Sequence, residues 1–195
     1  MAERISALDG HIEKGRFGVN DNSSGSLAEN TAGVIMTLVT DLKLHQVAAW
    51  PANISEVAKL ASDSIGENTV AAPGRSVGTA TQAVLRIEPL KWWLLGTELA
   101  KIDEQAGAAL DLSHSRTRLR ISGPDSATLL NRFMPIDLRA HIFPAGSVAS
   151  SAIHHVGVTL WHNELGYDLF IPRGFAVSIW EVLFESSLQF GVDVI

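Results

Sequence analysis

The chain has 195 residues, with 15 Lys and Arg against 21 Asp and Glu for a net charge of −6, 46% hydrophobic residues and no cysteine. That describes a globular chain long enough to bury a single core, without the cationic footprint of a nucleic-acid binder. The lack of cysteine excludes disulfides, thiolate zinc sites, iron–sulfur clusters and thiol nucleophiles. Charged residues make up 18%, against a usual share of about 25%, which predicts an apolar, Gly- and Ala-rich surface that something else covers. MAERISALDGHIEKGR at the N-terminus has no apolar signal core, and no apolar run is long enough to span a bilayer, so the expected compartment is the cytoplasm.

In chain order, residues 1–30 read as a flexible tail, because Gly18 to Asn30 is rich in Gly, Ser and Asn and has little to bury. Gly33 to Trp50 is β-branched and apolar, one long strand or two short ones, stopped by Pro51. Asn53 with Glu56 resembles a capping box. Ile54, Val57, Ala58, Ala61 and Ile65 follow at helical spacing, with Gly66 at the C-terminal cap. A loop over 67–79 leads into two strands within Gln82 to Gly96, broken near Pro89. The stretch from Gly96 to Leu110 reads as a polar, helix-permissive connector.

The second half repeats this order. Ser115 to Ser122 alternates, with Thr117, Leu119 and Ile121 on one face and Arg116, Arg118 and Arg120 on the other. Pro124 and Asp125 suit a helix start, Ala127, Leu130 and Met134 form its stripe, and Pro135 ends it. Ser147 to His162 is a strand or hairpin, 163–166 a turn, and Tyr167 to Pro172 a strand. Phe175 to Gly191 is a closing amphipathic helix with Phe175, Ile179, Val182 and Leu183 on one face. Two strand–helix–strand–strand blocks in series predict an α+β fold of ferredoxin-like, split βαβ character, an antiparallel sheet with helices packed on it. Residues 31–195 would form that single domain.

Motifs for chemistry are sparse. There is no GxxxxGK[ST], no GxGxxG between strand and helix, and no GxSxG elbow. Of the seven histidines, His154 and His155 are adjacent on a predicted strand and would face opposite ways, while His114 and His141 are far apart in sequence, so no metal set is legible. Two features stand out as candidate partner contacts. One is Arg116, Arg118 and Arg120, a cationic stripe suited to carboxylate or phosphate; it is an anion site, a contact with another chain, or a solvated face answered by cross-strand acids. The other is the surplus of tryptophan, five against one tyrosine. Trp92 and Trp93 are neighbours on a strand, so one of them points outward, an interface anchor, unless a helix covers that face.

The run ALDLSHSRTRLRISGPDSATLLNRFMPIDLRAHIFPAGS, Ala109 to Ser147, resembles the gamma subunit of heterotetrameric sarcosine oxidase. That family is itself similar to the folate-binding domain of aminomethyltransferases. LRIEPLKWWLLG, Leu85 to Gly96, and YDLFIPRGFAVSIWEVL, Tyr167 to Leu183, extend the resemblance over roughly Gly33 to Gly191. The resemblance implies a non-catalytic structural subunit of an enzyme that oxidatively demethylates sarcosine. Its partners would be alpha, beta and delta subunits, with FAD, FMN, NAD, tetrahydrofolate and zinc held in those partners and none here. The small subunit of N-methylglutamate dehydrogenase is a close alternative. Aminomethyltransferases carry paired glycines and an acid at a hairpin tip that assists catalysis. Ser150 to His162 here has only Gly157 and neither Asp nor Glu, so that role is not carried over. A stand-alone folate-binding one-carbon protein, with the Arg stripe holding a folate tail, and a small-molecule-sensing domain remain as other readings.

Overall fold

The computed structural model describes residues 5–18, 31–98 and 101–195. Its strands are β1 (Gly15–Phe17), β2 (Val34–Val39), β3 (Leu44–Ala49), β4 (Ser76–Gly78), β5 (Ala83–Glu88), β6 (Lys91–Leu95), β7 (Gly107–Asp111), β8 (Arg116–Ser122), β9 (Val148–Ile153), β10 (Val156–Asn163), β11 (Gly166–Pro172) and β12 (Val192–Val194). The helices are α1 (Ile54–Asp63), α2 (Ser126–Asn131) and α3 (Ala176–Ser187).

The run 33–50 is two strands, parted at Asp41, whose φ of 54° turns the chain. Pro51 to Asn53 forms a tight 3-10 turn before α1. Asn53 does not cap the backbone there; its side-chain amide donates to Glu56 instead, at 3.2 Å. At the other end Gly66, at φ 75°, takes the left-handed conformation, and Glu67 N donates to Ser62 O while Gly66 N donates to Asp63 O. That is a Schellman motif, and Gly66 is the residue that permits it. Helix α2 is shorter than its stripe suggests, and Met134 is buried beyond its end. Helix α3 buries Ala176, Ile179, Trp180, Leu183 and Ser187, whereas Phe175 stays exposed on the preceding turn.

Where one antiparallel sheet was expected, the strands make two. Seven run in the order β1-β12-β2-β8-β11-β10-β9 and five in the order β4-β5-β6-β3-β7. Every pairing is antiparallel except β12 with β2. The chain changes sheet between β2 and β3, so neighbouring strands in sequence enter different layers.

Three cores follow from this layering. Met36, Leu119, Ile121, Leu160, Leu169 and Ile171 pack with Leu129, Ile179 and Leu183, joining the seven-stranded sheet to α2 and α3. Leu44, Leu85, Trp93, Leu95, Trp161 and Phe170 fill the space between the sheets. Val47, Val84, Trp92 and Leu94 pack with Val57, Ala58 and Ala61 of α1. The result is a helix–sheet–sheet–helix sandwich of α+β class, in which both faces of the central strands are covered.

The stretch expected as a tail is packed over 5–18. Leu8 is fully buried, β1 pairs with β12, and Arg16 makes a two-pronged pair with Asp193, both bonds at 2.6 Å. Arg173 donates to Ile5 O at 2.8 Å. One apolar anchor and a guanidinium–carboxylate clamp supply what Gly, Ser and Asn could not. Residues 19–30, the most polar part of that stretch, lie outside the described residues. The 96–110 connector also differs, since 107–111 is strand β7 rather than helix-permissive chain.

Candidate functional site

The alternation of β8 holds, but its arginine face is largely covered, with Arg118 buried and Arg116 and Arg120 only partly exposed. It faces the second sheet, because helices α2 and α3 already cover the other side. Arg118 is 5% exposed and Asp168 is 0% exposed. Asp168 sits on β11, in register with Arg120. Its carboxylate accepts from Arg118 Nε at 3.1 Å, from Arg120 Nε and Nη2 at 2.8 and 2.9 Å, and from Asn163 Nδ2 at 2.7 Å. Arg118 also donates to Ala80 O at 2.6 Å across the sheets, and its guanidinium lies against Trp161 and Phe170. Burial lowers the Arg118 pKa from its ordinary value, and the Asp168 charge opposes that shift. Two of the three predicted contact residues, Arg118 and Arg120, are therefore committed internally. Both are spent on Asp168 of the neighbouring strand, and Arg118 alone also reaches across to the other layer, at Ala80 O.

Trp92 and Trp93 are corrected likewise. Trp92 is 0% exposed under α1 and Trp93 is 3% exposed between the sheets. Opposite sides of β6 each have a layer over them, so neither indole reaches the surface. Trp93 Nε1 donates to Gln46 Oε1 at 3.2 Å. Of the five candidates, Arg120 keeps 17% of its side-chain surface but is held by Asp168, and Arg116 is half-buried. Its guanidinium lies 5.8 Å from the Trp93 ring centre and borders a cleft of about 250 Å³ between the sheets.

Other polar groups stand apart. His154 and His155 form the two-residue tip between β9 and β10, with His154 at φ 52°, so they are turn residues and not strand neighbours. His162 stacks on Tyr167 with ring centres 4.4 Å apart and is bonded to Phe143 O through Nδ1. Among the described residues no three His, Asp or Glu side chains are placed to hold a metal. No helix is long and apolar enough to cross a membrane among the described residues.

The exposed apolar side chains fall elsewhere than the sequence pointed. Trp50 is 47% and Leu110 56% exposed. They sit beside and on β7, the edge strand of the five-stranded sheet, whose residues Ala108 to Asp111 are all exposed. In the ladder with β3, Leu112 N donates to Leu44 O and Trp50 N to Ala106 O. Even-numbered residues thus bond inward, and the Ala109 N–H and C=O point away from β3. The edge carries no Lys or Pro, the usual protections of such strands. Sequence reasoning missed it because GAALD has no alternation to read.

No family model matches the chain. Among curated proteins, a sarcosine oxidase subunit gamma from Arthrobacter sp is 29% identical over 112 residues, 57% of this chain and 55% of that one. The subunit of that name from Corynebacterium sp. strain U-96 is 29% identical over 80 residues, 41% of this chain and 39% of its own length. The matched segment thus spans about half of these relatives or less. Among solved structures, a chain of the heterotetrameric sarcosine oxidase from Corynebacterium sp. U-96 in complex with pyrrole 2-carboxylate has a TM-score of 0.69 at 23% identity, covering 80% of this chain and 85% of that one. The glycine cleavage system aminomethyltransferase T from Bartonella henselae has a TM-score of 0.57 at 16% identity, covering 84% of this chain and 48% of that one. At these identities the two structures speak for the fold alone. Over about half of its length the chain is similar in sequence to sarcosine oxidase gamma subunits, and its fold is shared with a chain of that heterotetramer and with an aminomethyltransferase.

Proposed function

We propose that this chain is the gamma-type subunit of a heterotetrameric sarcosine-oxidising enzyme and acts by packing, without catalytic side chains of its own. The observation that carries this reading is the pairing of gamma-subunit kinship with the fold of a chain from such a heterotetramer. The fate of the arginine stripe supports it. The residues most suited to bind a substrate anion, Arg118 and Arg120, are spent on Asp168 inside the sandwich. The succession β8, α2, β9, β10, β11, α3, β12 supports the ferredoxin-like reading once β9, an added edge strand beside β10, is set apart, with β2 inserted between β12 and β8. Residues 31–195 form one domain in this view, closed by the clamp from Arg16.

In this reading the partners are alpha, beta and delta subunits that hold FAD, FMN, NAD, tetrahydrofolate and zinc, and the assembly is cytoplasmic. The docking edge is β7, with Trp50 and Leu110 beside it. Its occupant is an extended strand of the large subunit, because the outward N–H and C=O of Ala109 are satisfied by backbone pairing. Docking stabilises the assembly by mass action, since the bound subunit favours the folded partner. The test is size-exclusion chromatography of the chain from its native source, following protein and flavin absorbance together. Co-elution in a yellow complex with three other chains, and loss of that complex when this chain is deleted, is the expected result. A colourless monomer, or full assembly and turnover without the chain, overturns it.

A further inference from the structure

We propose that the cleft bordered by Arg116 is a carboxylate-binding site. Arg118 and Arg120 share Asp168, but Arg116, on the same face of β8, has no acid within ion-pair distance among the described residues. Its one hydrogen bond there runs from Nη1 to Ser115 O at 3.2 Å, which leaves most of the guanidinium's five N–H donors unused. The group is half-buried, and burial lowers its pKa with no acid opposing the shift. A cation partly removed from water and unpaired is a poor resting state, and a planar anion is its natural complement.

The cleft supplies the rest. It holds about 250 Å³, and Trp93, Gln46, Ser150, Ser151 and Thr159 line it together with Arg116. Trp93 gives an apolar floor, and the hydroxyls of Ser150 and Thr159, paired across β9 and β10 on the face turned to the second sheet, are available as donors. Its one carboxylate, Glu88, is engaged by Lys91 at 2.9 Å. A single guanidinium matches a single negative charge. A phosphate dianion would leave charge unmatched beside Glu88, so the site selects a monocarboxylate. The group can come from a small free acid or from an acidic side chain of a bound chain. The inference rests on this geometry and does not require the subunit reading.

The probe is butyrate, with neutral butyramide as its control, added to the full chain while indole and backbone amide signals are followed by NMR. The expected result is a saturable shift of the Trp93 indole and the Ser150 and Ser151 amides. The affinity should fall in the millimolar range appropriate to so small a ligand. Arg116→Met, with an unchanged melting temperature, abolishes the shift; Arg116→Lys weakens it. Repeating the titration on the chain within its complex separates the sources. A retained response marks a free acid, and a response blocked in the complex marks a partner's side chain. No saturable shift, an equal response to butyramide, or an undiminished response in Arg116→Met overturns the proposal.

Discussion

Replacing Asp168 by Asn keeps the shape of the inter-sheet core and removes the carboxylate that pairs directly with Arg118 and Arg120. The carboxylate is 0% exposed, and the side chains of the two arginines are 5% and 17% exposed. Taking one partner from a buried ion pair costs about 3–5 kcal/mol, because the remaining charge stays desolvated. In a domain of this size each kcal/mol moves the melting temperature by about 2–4 °C. Asp168→Asn should therefore lower it by roughly 6–20 °C. Asp63→Asn is the control. Its pair with Lys59, at 2.6 Å, is more than half exposed on both sides, and such a helix pair contributes only about 0.3–0.5 kcal/mol. The combined change Asp168→Leu, Arg118→Met, Arg120→Met should recover part of the loss, since apolar replacement of buried charges is often neutral or better, while Asn163 Nδ2 and Ala80 O lose their partners. Urea unfolding with linear extrapolation measures all three. If Asp168→Asn lies within about 1 kcal/mol of the parent, a scale set by the buried-pair range, the arginines are hydrated and the brace argument fails.

Leu8→Ala should cost about 2–5 kcal/mol, as for a buried leucine; a change no larger than that of an exposed site in urea unfolding would show that 5–18 is not packed. Asp137 is held by the Arg139 side chain and backbone, which lowers its pKa from 3.8 to about 2. Because the folded pKa is depressed, the stabilisation is present above the ordinary value and lost as pH falls through about 2. An NMR titration should give that value and show it return towards 3.8 in Arg139→Ala; an unchanged midpoint refutes the pairing. Ala109→Pro removes an outward N–H on β7 and leaves the inward ladder intact. The melting temperature should hold while recovery of the complex on size exclusion falls; intact assembly excludes β7 as the docking edge.

Much of the local structure was legible in the residues. The β5–β6 hairpin showed in two apolar runs around Pro89, α1 in its 3.6-residue stripe with Gly66 behind it, and β8 in strict alternation. The shorter strands were not. β1 and β12 have three residues each, too few for a period, and they pair across 177 positions of sequence. The candidate site had one signal that could have been read, the lone Asp168 inside the apolar strand YDLFIP. An acid in a fully apolar run is rarely buried without a cationic partner.

What the sequence determined by itself was the character of each strand and helix and which residues share a face, because these follow from backbone periodicity within a few residues. It also carried the resemblance to sarcosine oxidase gamma subunits, through motifs in a fixed order. Which faces meet water was decided only by the tertiary structure. Burial of Arg118 and Trp93 depends on a second sheet, assembled from strands between Leu44 and Asp111, closing over the first, and burial of Trp92 depends on α1 covering that sheet's other face. Period-two alternation separates two faces of a strand. It does not say that both will be covered, because that depends on a layer contributed by residues far away in the chain.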